Sequence, residues 1–173
     1  MTISLIILFI LIIILFILGF FGLIMILSSI IGVPFVPTKL SDAIKMVEMA
    51  NIKPGQTVID LGSGAGRLLF LSAQKGAQAI GYELNPLLTF LTRLIIRLKG
   101  LKKQVKVINR SIYSADLSQA DVVLAFLMPE PMKKLAAKFT RELKPGAKVI
   151  TYSFSWPNKE PSQKVGKIYV YEV

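Results

Sequence analysis

The chain has 173 residues, 53% of them hydrophobic, and a formal net charge of +11 from 21 Lys and Arg against 10 Asp and Glu. It contains no Cys and no His, which excludes thiol nucleophiles, a Ser-His-Asp triad and ordinary zinc or haem sites. Its chemistry must rest on carboxylates, hydroxyls, backbone groups and a borrowed cofactor, and no metal site is expected.

The first charge is Lys39, and most of residues 3–31 are Leu, Ile, Phe, Val or Met. A bilayer core takes about 20 apolar residues in a helix rising ~1.5 Å per residue. The run is long enough to cross with some tilt to spare. A cleaved secretory signal would carry a basic start and an apolar stretch of only about 7 to 15 residues. A buried core helix with no polar face would need a far larger protein around it. Residues 1–32 are therefore read as a transmembrane anchor. Every Lys and Arg lies on its C-terminal side, which sets the N-terminus outside and the remainder in the cytoplasm.

Residues 33–173 have the length of one domain, with the Pro-punctuated stretch 33–38 as linker. Ser41 is placed as the cap of a helix reaching about Ala50, from the i, i+3, i+4, i+7 spacing of Ala43, Met46, Val47 and Ala50. After the Lys53-Pro54-Gly55 turn, strands are expected over 57–61 and 77–82, with a helix over 65–75 between them. Pro86 opens a helix over 86–99 that Gly100 stops. Further strands are expected over 105–109, 122–126, 148–154 and 167–173, and a helix over 131–143. The alternation implies an α/β, Rossmann-like, doubly wound and mostly parallel sheet covered on both faces. Ligands are expected at the carboxyl ends of its strands, where the strand order reverses.

The first of those ends carries Asp60-Leu61-Gly62-Ser63-Gly64-Ala65-Gly66-Arg67. Glycines at alternate positions let the chain turn tightly and bring N–H groups against a ligand. A dinucleotide fingerprint would need glycine where Arg67 stands, so a different cofactor is indicated. The second strand ends Glu83-Leu84-Asn85-Pro86, where a carboxylate can accept both hydroxyls of an adenosine ribose. In this order the two motifs read as an S-adenosylmethionine site using Asp60, Gly62, Ser63, Gly64, Gly66, Glu83, Leu84 and Asn85. The plainer alternative is a turn kept for helix–sheet packing beside a solvated glutamate.

These residues resemble the class I, seven-strand S-adenosylmethionine-dependent methyltransferases. With Val33-Pro34-Phe35-Val36-Pro37-Thr38, Glu142-Leu143-Lys144-Pro145-Gly146 and Tyr169-Val170-Tyr171-Glu172-Val173, the chain is similar to one lysine methyltransferase family. That family includes membrane-anchored mitochondrial enzymes acting on the ATP synthase c-subunit and on the adenine nucleotide translocase, and soluble crenarchaeal protein lysine methyltransferases. The resemblance implies that Pro37 and Thr38 lie beside the cofactor, that Asp60, Gly62 and Gly64 hold its methionine portion, and that Glu83 holds the ribose. A stiff spacer is the alternative for Pro34 and Pro37. The chain departs from the family pattern at Ala65 and at Ser111-Ile112, where acidic residues are usual. Adenine recognition is then left to the Ser111 hydroxyl and the Ile112 backbone.

Methyl transfer to lysine needs a neutral amine, which costs about 4.6 kcal/mol at pH 7 for a pKa near 10.4. The stretch after the fourth strand, Phe126-Leu127-Met128-Pro129-Glu130, sits where such sites line the target nitrogen. Glu130, Phe126 and Pro129 are the candidate catalytic residues, with Glu130 either steering the amine or merely complementing a helix dipole. Arg93, Arg97, Lys99, Lys102, Lys103, Lys106 and Arg110 form a block with no acid between Glu83 and Asp116. It is read as facing anionic lipid, against a solvated helix face. Nucleic acid is not expected, because no aromatic interleaving accompanies the charge. The whole is a membrane-anchored S-adenosylmethionine-dependent protein lysine N-methyltransferase whose substrate is in or near the membrane. The alternatives are a lipid or small-molecule methyltransferase and a non-catalytic cofactor-binding membrane module.

Overall fold

The apolar run forms a single helix, α1 (Thr2–Ile30), in a computed structural model that describes residues 2–30 and 36–173. Its 29 residues make about 43 Å at ~1.5 Å each. The stretch Ile3–Leu23 is long and apolar enough to cross a membrane. The expected anchor end at residue 32, and residues 33–35 of the linker, lie outside the described residues. By contact the chain divides into Met1–Val36 and Pro37–Val173.

The second unit is built on one seven-stranded sheet in the order β3-β2-β1-β4-β5-β7-β6. Its strands are β1 (Thr57–Leu61), β2 (Gln78–Tyr82), β3 (Val105–Ile108), β4 (Val122–Ala125), β5 (Lys148–Tyr152), β6 (Gln163–Val165) and β7 (Ile168–Glu172). The first five pair in parallel, and β7 runs antiparallel between β5 and β6. The fold is thus the doubly wound, mostly parallel sheet that the alternation of elements implied. From β1 the chain steps outward to β2 and β3 and then returns to β4. The reversal between β1 and β4 opens a crevice at their carboxyl ends.

Alternation along the strands sorts side chains to two faces. Val58, Val122, Leu124 and Ile150 pack with Ala43, Met46, Val47 and Ala50 of α2 (Leu40–Ala50). Leu69 and Ala73 of α3 (Arg67–Gln74) and Ile96 of α4 (Pro86–Leu98) cover Ala79, Val105 and Val107 on the same side. The opposite face, with Ile59, Leu61, Val123, Ala125 and Val149, receives Met132, Leu135 and Phe139 of α5 (Pro129–Glu142). The Phe139 ring meets Trp156 at 5.0 Å there, and Trp156 in turn meets Tyr171.

Both faces are covered, as expected, though unequally. Where a full crossover helix could join β3 to β4, the chain makes a single 3-10 turn, Ile112–Ser114. Ser41 does not cap α2: Lys39 holds that position without a side-chain cap, and Ala43 N–H donates to the Lys39 carbonyl. The helix begins two residues earlier than a cap at Ser41 implied, which leaves Ser41 exposed inside it. α5 likewise starts at Pro129, because proline is tolerated in a first turn. The edge strand β6 carries no buried alternation and so left no trace in the sequence.

Gly81 in β2 is fixed by close approach. A Cβ at this position would lie 2.6 Å from Ser63 Oγ and 2.7 Å from Leu69 Cδ1. Gly81→Ala is therefore expected to cost about 1–3 kcal/mol by overpacking, read as a lowered urea midpoint. An unchanged midpoint would show that the glycine loop yields without strain.

Candidate functional site

At the carboxyl end of β1 the chain turns through residues 62–66 into α3. Gly62, Gly64 and Gly66 take φ of +84°, +53° and +80°. Gly66 has a second constraint, since a Cβ there would sit 2.8 Å from Thr92 Cγ2. The loop is tied to the end of β2 by three backbone amides. Gly62 and Ser63 N–H donate to the Tyr82 carbonyl at 2.9 and 3.1 Å, and Gly64 N–H donates to Glu83 Oε2 at 2.8 Å. Glu83 Oε1 accepts from Asn85 N–H at 2.7 Å.

Residues outside the expected set hold this geometry. Thr92 Oγ donates to the Gly64 carbonyl at 3.1 Å, and Asn109 Nδ2 donates to the carbonyls of Glu83 and Leu84 at 2.9 and 3.0 Å. Arg67 donates to the Thr38 carbonyl, which fastens the start of the second unit to the glycine loop. Thr38 is half-buried and Pro37 exposed. Asn109 ends β3 as Glu83 ends β2, so a polar residue closing a strand was the signal available for it. Thr92, inside an apolar helix, offered none.

Asp60 is the buried carboxyl of the site, 2% exposed. Burial, reinforced by the nearby Glu83, pushes its carboxyl up to about 8. Among the described residues, its Oδ2 and the Ser63 hydroxyl are both buried without a hydrogen-bond partner. Asn85 Oδ1 accepts from Leu87 and Leu88 N–H at 2.9 and 3.2 Å, so its side chain caps α4, and Leu84 is exposed beside it. Ser111 Oγ accepts from Tyr113 N–H at 3.4 Å and begins the 3-10 turn that Ile112 enters half-buried.

The carboxyl ends of β4 and β5 form a second group. The Phe126 ring meets Tyr152 edge-on at 4.9 Å, and the Tyr152 hydroxyl donates to Asp42 Oδ2 of α2 at 2.7 Å. That hydrogen bond, with partial burial and the Asp42 charge, raises the Tyr152 pKa. The register Leu61↔Ala125 sets Phe126 next to Gly62. Glu130 and Pro129 are exposed in the first turn of α5. Glu130 is 73% exposed and pairs with Lys133 at 2.8 Å, a hydrogen bond that lowers its pKa and weakens it as a base. Asp42 and Tyr152 stand 110 positions apart, and no spacing in the sequence connects them.

The profile of the ANTKMT methyltransferase domain matches residues 60–163, from the buried aspartate to the edge strand. The chain belongs to that family. Among curated relatives of this family member, the human lysine N-methyltransferase of the ATP synthase c-subunit is 34% identical over 134 residues, covering 78% of this chain and 57% of the human protein. A protein-lysine N-methyltransferase of Saccharolobus islandicus (strain REY15A) is 31% identical, covering 74% of this chain and 83% of its own length. Of solved structures, an RNA methyltransferase from Salinibacter ruber in complex with S-adenosyl-L-homocysteine superposes with a TM-score of 0.77 at 29% identity, over 79% of this chain and 93% of that one. The chain thus spans less than two thirds of the human relative's length.

The buried aspartate gives this family member a pH signature. An aspartate whose folded pKa is raised from 3.8 to about 8 stays protonated in the fold while the unfolded chain ionises. Its contribution is therefore fully present below about pH 4 and is lost as pH rises toward 8, by up to ~1.4 kcal/mol per pH unit. Asp60→Asn should flatten that slope in ligand-free denaturation curves measured between pH 5 and 8. An identical slope in the variant would place the titrating group elsewhere.

Proposed function

We propose that the chain is an S-adenosylmethionine-dependent protein lysine N-methyltransferase, anchored by α1 and acting on a protein in or near a membrane. The observation that carries the cofactor is the pair of carboxylates at adjacent strand ends. Asp60 has a buried oxygen lacking a donor, which suits a ligand bearing an ammonium and a sulfonium. Glu83 gives one lone pair of each oxygen to a loop amide, and a carboxylate has about four, leaving two for ribose hydroxyls. Gly62, Ser63, Gly64 and Gly66 supply the turn, Pro37 and Thr38 flank it, and Leu84, Asn85, Ser111 and Ile112 border the adenine side. The names of the human and Saccharolobus relatives support lysine as acceptor.

S-adenosylmethionine supplies a methyl group already activated on sulfur. What remains for the protein is placement of the amine and removal of its proton. We assign the acceptor side to Asp42, Tyr152 and Phe126. The two rings offer faces to a cationic ammonium, and the Asp42 carboxylate, hydrogen-bonded to the Tyr152 hydroxyl, attracts that ammonium and accepts its proton. This reading favours Asp42 over Glu130, whose carboxylate is already paired with Lys133, and leaves Pro129 the opening of α5. The anchor is read with its N-terminus outside and the second unit in the cytoplasm, following the charge asymmetry. A second reading, an RNA substrate, is favoured by the Salinibacter ruber structure and the net charge of +11.

Purified protein incubated with methyl-labelled cofactor and host membranes, ribosomes and RNA separates these readings. Label is expected in protein lysines; label confined to RNA or lipid would overturn the lysine assignment. Glu83→Ala should weaken cofactor binding by about 1.5–3 kcal/mol for each hydrogen bond to the charged group that is lost, measured by calorimetry. An unchanged dissociation constant would place the ribose elsewhere. Asp42→Asn and Tyr152→Phe should slow methylation while leaving cofactor affinity near that of the wild type, by up to about 10²–10⁴ for a lost general base. Slowing by Glu130→Gln with a silent Asp42→Asn would return the role to Glu130.

A further inference from the structure

Helix α4 has its polarity reversed. A helix on a protein surface normally turns apolar residues inward and polar ones to water. Here the buried positions are Leu88, Thr89, Thr92 and Ile96, two of them hydroxyls that donate to the carbonyls of Glu83 and Gly64. At 100° per residue the opposite pole carries Leu87, Phe90, Leu94 and Leu98. Phe90, Leu94 and Leu98 are 63, 42 and 79% exposed. Their i, i+4 spacing stacks them into one ridge along the helix.

Cations lie beside the ridge. Arg93, Arg97 and Lys99 sit on or just after the helix, and Lys102, Lys103, Lys106 and Arg110 follow on the β3 edge, all exposed. No acid occurs between Glu83 and Asp116. Among the described residues none of these cations is in an ion pair. Arg93 donates to the Val107 carbonyl, a contact that leaves its charge uncompensated.

An apolar ridge flanked by unpaired cations is the pattern of a helix lying in the boundary between lipid headgroups and acyl chains. RNA would use the charge but could stack a base only on Phe90, not on Leu94 or Leu98, and an acidic protein partner would leave the ridge without a purpose of its own. We infer that the outward face of α4 docks on an anionic bilayer, with Phe90, Leu94 and Leu98 inserted and the flanking Arg and Lys on lipid phosphates. This rests on the reading of α1 as a membrane anchor, and it adds an orientation to the tether. The ridge begins within a few residues of Glu83, so docking would set the cofactor crevice at a defined height over the lipid.

The lack of cysteine permits a direct test. Single cysteines replacing Leu94, Leu98, Leu15 of α1 or the exposed Ala137 of α5 would carry an environment-sensitive fluorophore. The full chain would be reconstituted in nanodiscs of phosphatidylcholine with or without phosphatidylglycerol, containing doxyl lipids as quenchers. Melting curves check that each variant folds. The expected result is quenching at Leu15 in both lipids, at Leu94 and Leu98 chiefly with phosphatidylglycerol, and none at Ala137. Replacing Arg97 and Lys102 with Gln should lower the docked-to-undocked ratio about fivefold per charge. Quenching at Leu15 alone would overturn the docking and spare the anchor. Quenching at no position would overturn both. Labels at Leu94 and Leu98 that escape lipid quenching but become shielded on adding RNA or a substrate protein would assign the face to that partner instead.

Discussion

The Glu83 carboxylate is the joint on which the cofactor side depends. One oxygen takes the Gly64 amide and the other takes the Asn85 amide, so a single side chain fixes the loop after β1 and the turn into α4 together. Hydrogen bonds to a charged acceptor are the stronger kind. The backbone around it is held as firmly: the Tyr82 carbonyl receives two loop amides, and the Glu83 carbonyl receives Asn109 and Thr89. Loop, strand end and helix start therefore behave as one piece, and preorganisation of this kind reduces the ordering that binding would otherwise require.

Asp60 shows the opposite balance. Its carboxyl is buried with an oxygen that has no donor among the described residues and with Glu83 close enough to raise its pKa. A fold selected for stability alone would hold an apolar residue there, as Val58 and Ile59 do two steps and one step earlier in β1. The uneven cover of the sheet points the same way. With three helices on one face and α5 alone on the other, the fold keeps what supports the two strand-end clusters and adds little elsewhere.

Much of this was legible from residue order. β1 falls on residues 57–61 as its punctuation implied, because a Lys-Pro-Gly turn precedes it and glycine follows. The glycine loop and Glu83 were visible because their chemistry is written in one short stretch. Asn85 was visible but read differently: a residue before Pro86 at a strand end fits a ligand contact or a helix cap, and the structure shows its side chain capping α4. Glu130 was the only carboxylate in the stretch 126–130 after the fourth strand, while Asp42 reaches the fifth only through the folded chain. The reversed polarity of α4 was hidden for another reason. Leu and Ile on every side of a helix give no periodic hint as to which side is covered.

The separations of these contacts carry a consequence for the order in which the site assembles. Gly64 meets Glu83 across 19 positions, Asn109 meets Glu83 across 26, and Thr92 meets Gly64 across 28. Asp42 meets Tyr152 across 110. Short loops close at lower entropic cost and sooner than long ones, and a chain leaves the ribosome N-terminus first. The cradle after β1 and β2 can therefore stand as a local substructure while β5 is still being synthesised, and of these contacts the Asp42–Tyr152 pair comes together last.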